Sequence, residues 1–87
     1  MTFNTTWDDI VLDQLADIYV SLDPGSRELL VQEIELLNLR LANDPYDVGE
    51  SRAGNVRITF AARLTVFFTV NNSLRIVRVI AISKSGW

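Results

Sequence analysis

The chain of 87 residues contains no cysteine and no histidine. Without cysteine it has neither disulfides nor a thiol nucleophile, and without both residue types it lacks the ligands of the usual structural zinc sites. Histidine is the side chain whose ordinary pKa lies nearest neutrality. Because the chain contains none, Ser-His catalysis is not expected. We therefore expect neither a metal nor a cofactor.

Long apolar runs are also missing. No stretch approaches the roughly 20 residues of a membrane-spanning helix, and the first residues show no basic region followed by an apolar segment. These features predict a cytosolic location and no membrane partner. Because 48% of the 87 residues are hydrophobic, the chain can build one modest core. Residues 1–87 are therefore predicted to form a single domain.

Acidic residues are absent after Glu50. Residues 1–50 hold all eleven acids and only two cations, Arg27 and Arg40, so this part carries a charge of −9. Residues 51–87 hold six cations and carry +6, which gives the net charge of −3. The two parts either neutralise each other across the fold or give the protein an acidic and a basic side.

Two amphipathic helices are predicted in the acidic part. The first follows Thr6, which stands three residues before Asp9 as in a capping box. Its apolar stripe is Trp7, Val11, Leu15, Ile18 and Leu22. The second begins at Asp23 or Ser26, and Asn43 is placed for a left-handed cap at its end. Its apolar stripe is Leu30, Ile34, Leu37 and Leu41. The short link between them predicts an antiparallel hairpin.

From Val56 onward the apolar period changes from about 3.6 to 2, which indicates strands. Three strands are predicted, around residues 56–60, 64–70 and 74–82, with Asn71 and Asn72 suited to a tight turn. Residues 1–5 are a candidate short edge strand. The predicted fold class is therefore α+β: a two-layer sandwich, (β)ααβββ, with the helix hairpin on a three- to four-stranded antiparallel sheet.

This order of elements resembles the RelE/ParE-type toxins of bacterial type II toxin–antitoxin systems, also called plasmid stabilisation proteins. The resemblance rests on the first helix "WDDIVLDQLADIYVSL", the link "DPGSR", the helix end "LRLANDP", the entry "GESRAGNVRI" and the hairpin "RLTVFFTVNNSLRIVRVIAI". It extends over all 87 residues. It implies a toxin that binds its target and a cognate antitoxin through a basic sheet face. Phosphate neutralisation suits such a face to RNA, and arginine–carboxylate pairing suits it to an antitoxin.

The resemblance also implies candidate site residues. For a ribosome-dependent mRNA endonuclease, the catalytic candidates are Arg57, Arg63 and Lys84. The binding candidates are Arg52, Arg75, Phe67 and Trp87. The late tyrosine or histidine of active nucleases is missing, so that Lys84 is the one late proton donor. This departure favours a toxin that binds DNA gyrase, or a non-toxic structural or regulatory domain that dimerises through its sheet edge.

Strand parity gives each cation an expected side. Arg57 is expected to point away from the helices, if Val56 and Ile58 point toward them. Arg78 shares parity with Ile76 and is expected to pair with a carboxylate under the helices, which leaves Arg75 on the outer face with Val77 and Val79. Phe67 is expected on the outer face beside Arg57 and Arg75. An ordinary solvated role is the alternative for each of these cations.

Overall fold

The computed structural model describes residues 2–84. Its elements in chain order are β1 (Asn4–Trp7), α1 (Asp9–Ser21), α2 (Pro24–Asn43), α3 (Pro45–Val48), β2 (Glu50–Ala53), β3 (Val56–Ala61), β4 (Leu64–Asn71) and β5 (Ile76–Lys84). The five strands form one sheet in the order β1-β5-β4-β3-β2. β1 pairs with β5 in parallel, and the other neighbours are antiparallel. None of the helices in residues 2–84 is long and apolar enough to cross a membrane.

The predicted α+β class is confirmed, but the sheet differs from the prediction in two ways. It has five strands because β2 forms an extra edge, and it is mixed because the first strand lies parallel to the last. β2 has no apolar alternation, and all four of its residues are exposed. Such a strand is held by backbone pairing rather than burial, so it leaves no hydrophobic pattern in the sequence.

The starts and ends of the helices follow local capping. Asp23 caps α2 as predicted, since its side chain accepts a hydrogen bond from the Ser26 amide at 3.3 Å and Pro24 follows it. The prediction that Thr6 caps the first helix is wrong, because Thr6 lies in β1 and Asp8 precedes α1. Asn43 is not left-handed either: α2 ends at Asp44, whose side chain caps α3.

The core lies between the helices and one face of the sheet. Val66 and Phe68 of β4 are fully buried with Val77 and Val79 of β5, and they pack in one cluster with Leu37 of α2. The pairing of β4 with β5 shifts between Phe67 and Phe68, so that Ile80 lies between two registers. This bulge reverses the parity of β5, and Ile82 returns to the core side opposite Val66.

β3 has the opposite phase to the predicted one. Arg57 lies opposite Phe68 and Thr59 lies opposite Val66. Residues directly opposite in a sheet share one face, so Arg57 and Thr59 are on the helix side. Phe60 is on the outer side, where it is 64% exposed. The expectation that Arg57 points away from the helices is therefore wrong, because an apolar alternation in this strand faces outward.

The hairpin turns also differ in detail. Ala62 and Arg63 have φ values of 54° and 61° and connect β3 to β4. In the next turn Arg75, not an asparagine, has positive φ, at 55°. Asn71 instead accepts a hydrogen bond from the Leu74 amide through its side-chain oxygen, at 2.9 Å. The chain therefore turns at the predicted segment, but the left-handed residue of the turn is Arg75.

Candidate functional site

The outer face of the sheet is not the basic surface that was predicted. Phe67, Thr65 and Thr69 of β4 lie on it, opposite Ala81, Ser83 and Arg78 of β5. Three strand cations of residues 2–84 lie directly opposite a residue of a neighbouring strand: Arg57, Arg78 and Lys84. Of these three, Arg78 lies on the outer face. The remaining cations after Glu50 lie on the helix side, in turns or at the β2 edge, so the charge asymmetry of the sequence does not produce a charged sheet face.

Arg78 forms the predicted ion pair with a carboxylate, but on the outer face of the sheet rather than under the helices. Its Nε donates to Oδ1 of Asp8 at 2.7 Å, and its Nη2 donates to Oδ2 at 3.0 Å. This pairing lowers the pKa of Asp8 from its ordinary value and raises that of Arg78. Val77 and Val79, not Arg78, face the helices. The prediction of an ion pair is confirmed, and that of its face is wrong.

Arg57 is bound by backbone carbonyls near α3. Its Nη2 donates to the carbonyl of Tyr46 at 2.8 Å and to the carbonyl of Gly49, and its guanidinium lies 5.2 Å from the centre of the Tyr46 ring. Thr59, on the same face, donates from Oγ1 to the Val48 carbonyl at 3.0 Å. These contacts hold the short helix against β3. They support a structural role for Arg57, while its predicted catalytic role stays a prediction.

Arg63 and Lys84 lie at one end of the sheet. Leu64, which follows Arg63, pairs with Lys84. Lys84 shares a surface hollow with Gln14 and Asp17 of α1, so it faces the acidic helix. Arg63 lies across from α2, near Glu33. The two candidates are therefore brought to the same end of the fold, where each adjoins an acidic side chain.

The predicted binding residues do not form one patch. Arg52 is exposed on β2, at the free edge of the sheet. Arg75 lies in the turn before β5, with its guanidinium 4.8 Å from the centre of the Phe3 ring. Phe67 is on the outer face as expected, but its partners there are Ile58 and Ala81. The expected cluster of Phe67 with Arg57 and Arg75 is wrong, and Trp87 lies outside the described residues.

A cleft that the sequence did not indicate lies between α2 and the β3–β4 turn. Its volume is about 400 Å³, and its lining includes Leu36, Arg40, Phe60, Arg63 and Glu33. We call these five residues the turn cleft. Leu36 and Phe60 are both more than half exposed. The sequence offers one signal for this cleft: Arg40 follows Leu36 by four residues, and Arg63 follows Phe60 by three.

The turn cleft combines an aromatic ring, two guanidinium groups and one carboxylate. Arginine forks bind phosphate and carboxylate groups bidentately, and an exposed ring can stack on a base or pack on an apolar side chain. Arginine stays protonated at neutral pH, so it stabilises charge without acting as a base. The arrangement therefore suits the binding of an anionic partner better than proton transfer.

The order of the helices and strands gives the chain the α+β fold of the RelE/ParE-type toxins. No family model and no curated protein matches the sequence. The chain is similar in structure to a chromosomal ParDE toxin–antitoxin system from Pseudomonas aeruginosa, with 18% identity, 97% coverage of both chains and a TM-score of 0.74. It is also similar to the RelBE2 complex of Mycobacterium tuberculosis, with 11% identity, 97% and 99% coverage and a TM-score of 0.71.

A free toxin has the same architecture. The RelE toxin of Escherichia coli, solved as a mutant in the free state, is 13% identical, with 97% of this chain and 84% of that chain covered and a TM-score of 0.64. At such identities the shared property is the fold. Which surface acts, and on what, depends on the side chains described above.

Proposed function

We propose that this chain is the toxin-like component of a type II toxin–antitoxin pair. The observation that carries the proposal is the structural match to the ParDE system over 97% of both chains. In the pair, a cognate antitoxin binds the chain and keeps it inactive. Released from the antitoxin, the chain binds a cytosolic target.

The proposed target surface is the turn cleft. Phe60 is 64% exposed, although burying an aromatic ring of this size would favour folding. Arg40 and Arg63 line the same cleft and supply positive charge that can bind a phosphate or carboxylate group. The carboxylate of Glu33 lines the same cleft and would repel a highly anionic ligand such as the RNA backbone. These features support a protein target, as in a gyrase-binding toxin, over a nucleic acid.

A ribosome-dependent mRNA endonuclease is the second candidate function. The placement of Arg63 and Lys84 at the same end of the sheet supports it, because two cations can stabilise charge that develops at a scissile phosphate. General acid–base catalysis contributes about 10²- to 10⁴-fold in rate, and the chain has no histidine, the side chain that most often supplies it. The binding function is therefore the one the residues support better.

Induced expression in a bacterial host tests both candidates. Growth would be followed together with primer-extension mapping of messenger RNA and the supercoiling activity of gyrase in extracts. The variant Arg63→Asn removes a cleft charge, and asparagine accepts the positive φ of 61° at this position. Ala62→Asn is its matched control, because it places the same residue at φ 54° in the same turn without removing a charge.

Growth arrest that is weakened by Arg63→Asn but not by Ala62→Asn would support the turn cleft as the target surface. Inhibited supercoiling without new messenger ends identifies a gyrase-type target, and codon-positioned cuts identify the nuclease. Relief of the arrest by co-expressing an adjacent gene would support the antitoxin. Normal growth with folded protein present would refute the toxin proposal and leave a structural or regulatory domain.

A further inference from the structure

An exposed apolar strip runs along α2 next to the turn cleft. Leu29 and Leu36 stand seven residues apart, which is about two turns, so both lie on one side of the helix. They are 61% and 58% exposed, and Phe60 on β3 is 64% exposed. Leu29 lines a neighbouring hollow that shares Glu33 and Arg63 with the turn cleft. The strip therefore continues over two adjoining hollows, and the hydrophobic effect favours covering it.

Two opposite charges flank Leu36 on the same side of α2. Glu33 stands three residues before it and Arg40 four residues after it, and residues at these spacings are neighbours on a helix surface. Both are exposed, and both line the turn cleft. Glu33 and Arg40 are about two turns apart, beyond the spacing of three or four residues at which ion pairs form within a helix. The strip thus carries an acid on one side of Leu36 and a cation on the other.

This charge pattern is complementary to itself. A two-fold axis that passes through Leu36 at right angles to α2 would place α2 of a second copy antiparallel to it. Glu33, three residues before the axis, would then lie level with position 39 of the second copy, one residue from Arg40. One residue is a rise of about 1.5 Å, which is within the reach of two long side chains. The interface would therefore contain two Glu33–Arg40 pairs, one on each side of two leucines that meet at the axis.

Other exposed surfaces suit a second copy less well. In a symmetric interface on α1, the exposed acids Asp9, Asp13 and Asp17 would lie against the same acids of the second copy, and like charges repel. The edge strand β2 has only four residues, and its pairing with β3 shifts between Ser51 and Ala53. Short, bulged edge strands resist pairing with another chain. The turn cleft, by contrast, has a volume of about 400 Å³ that leaves room for side chains of a second copy.

We propose that the chain forms a two-fold symmetric homodimer in which the α2 helices of two copies pack antiparallel at Leu36. Phe60 of each copy extends the apolar contact, and Glu33 of each copy pairs with Arg40 of the other. The dimer covers the turn cleft, so a copy within it has no target surface exposed. In this last consequence the proposal rests on the proposed function, because self-association and target binding then exclude each other. The dimer itself is independent of toxicity.

Sedimentation equilibrium of the full chain tests the dimer. We expect a reversible monomer–dimer equilibrium between about 1 and 500 μM, because a contact of one helix and one ring is smaller than a standard interface and therefore weak. Leu36→Asp should weaken dimerisation about tenfold or more, since it places two like charges at the axis. Val31→Asp is its matched control, because Val31 is a 43% exposed residue of the same helix that lines the groove toward α1 instead of the turn cleft.

Charge reversal locates the contact between copies. Glu33→Arg and Arg40→Glu should each weaken dimerisation about tenfold, because each new charge faces a like charge of the second copy. An equimolar mixture of the two variants should form a heterodimer at least as stable as the wild-type dimer, since both arginines of one copy then face both glutamates of the other. Recovery on mixing cannot come from contacts within one chain. Glu35→Arg makes the same charge change on the α1 side of α2 and should leave dimerisation unchanged.

Three results would each overturn the proposal: a monomer over the whole concentration range, equal effects of Leu36→Asp and Val31→Asp, or no heterodimer in the mixture of charge variants. A dimer that only Val31→Asp abolishes would place the interface between α1 and α2 instead. Circular dichroism of each variant separates loss of the dimer from loss of the fold. A monomeric chain that still arrests growth would leave the proposed function in place, and a dimer of a chain that does not arrest growth would leave this interface in place.

Discussion

The contacts of Arg57 lead to a quantitative prediction for its replacement by methionine. The substitution keeps much of the apolar stem but removes two charged hydrogen bonds, to the carbonyls of Tyr46 and Gly49. A hydrogen bond from a charged group contributes about 1.5–3 kcal/mol, and an exposed one contributes less. The bond to Tyr46 is exposed and the bond to Gly49 is partly buried, so the first lies at or below the low end of that range.

Two further contributions adjust the sum. The guanidinium next to the Tyr46 ring adds about 0.5 kcal/mol as an exposed cation–π contact. The Arg57 Nε is buried without a hydrogen-bond partner among the described residues, which costs about 1 kcal/mol and is relieved in methionine. The net loss in free energy of unfolding is about 2 kcal/mol. For a domain of this size that lowers Tm by about 8–16 °C.

Urea and thermal unfolding would measure this loss, with Arg52→Met as the control. Arg52 lies on the exposed strand β2, so the same substitution there should change stability by less than about 0.5 kcal/mol. If Arg57→Met were no more destabilising than Arg52→Met, the attachment of α3 by this guanidinium would be refuted. The expected loss of stability also bears on growth assays, because an effect of Arg57→Met on toxicity would in that case reflect folding rather than catalysis.

Three other substitutions test the packing, the electrostatics and the turn. Gly49→Ala should destabilise the fold by about 1–3 kcal/mol or more in urea unfolding, because its Cβ would lie 2.7 Å from the Ile58 carbonyl oxygen and from the Phe68 ring; Gly25→Ala, whose Cβ meets only Asp23 at 3.4 Å, should show no comparable loss. The lowered pKa of Asp8 means that its pairing with Arg78 stabilises the fold above the ordinary value of 3.8 and is lost as pH falls through the lower folded value. Unfolding curves from pH 7 to pH 2 should therefore decline less in Asp8→Asn, and adding Arg78→Met should cause little further change; an unchanged acid decline would contradict the pairing. Ala62→Gly should raise Tm slightly or leave it unchanged, since glycine relieves φ 54° but adds freedom to the unfolded chain, and a clear loss of Tm would contradict the left-handed conformation.

The two long helices, α1 and α2, were predictable because their signals are local, whereas the four-residue α3 was not predicted. The apolar spacing of α1 and α2 follows the helix period, and the Asp23–Pro24 start is a short capping pattern that tertiary contacts did not override. Arg78 could be predicted as an ion-pair residue because an arginine inside an apolar strand needs a partner. Its partner Asp8 lies 70 residues away, so the side on which the two meet depends on the pairing of β1 with β5.

The strand faces were not predictable from alternation alone. In β3 the apolar residues Ile58 and Phe60 face outward. Arg57 faces the helices, where it donates hydrogen bonds to the carbonyls of Tyr46 and Gly49. In β5 the bulge at Ile80 changes the parity midway, and no local pattern marks it. The turn cleft was missed for the same reason, since Leu36 and Phe60 line one cleft only because α2 packs on the sheet.

The parallel pairing of β1 with β5 has a consequence for folding during synthesis. Thr5 pairs with Val77, so this part of the sheet requires nearly the whole chain. Closing so long a loop lowers the entropy of the chain before β1 and β5 make contact, and this slows the pairing of the two strands. On the ribosome, α1 and α2 are therefore complete long before β5 arrives to cover their apolar faces. During that interval the helix hairpin is the part of the nascent chain most exposed to aggregation, and a partner that already bound it would protect it.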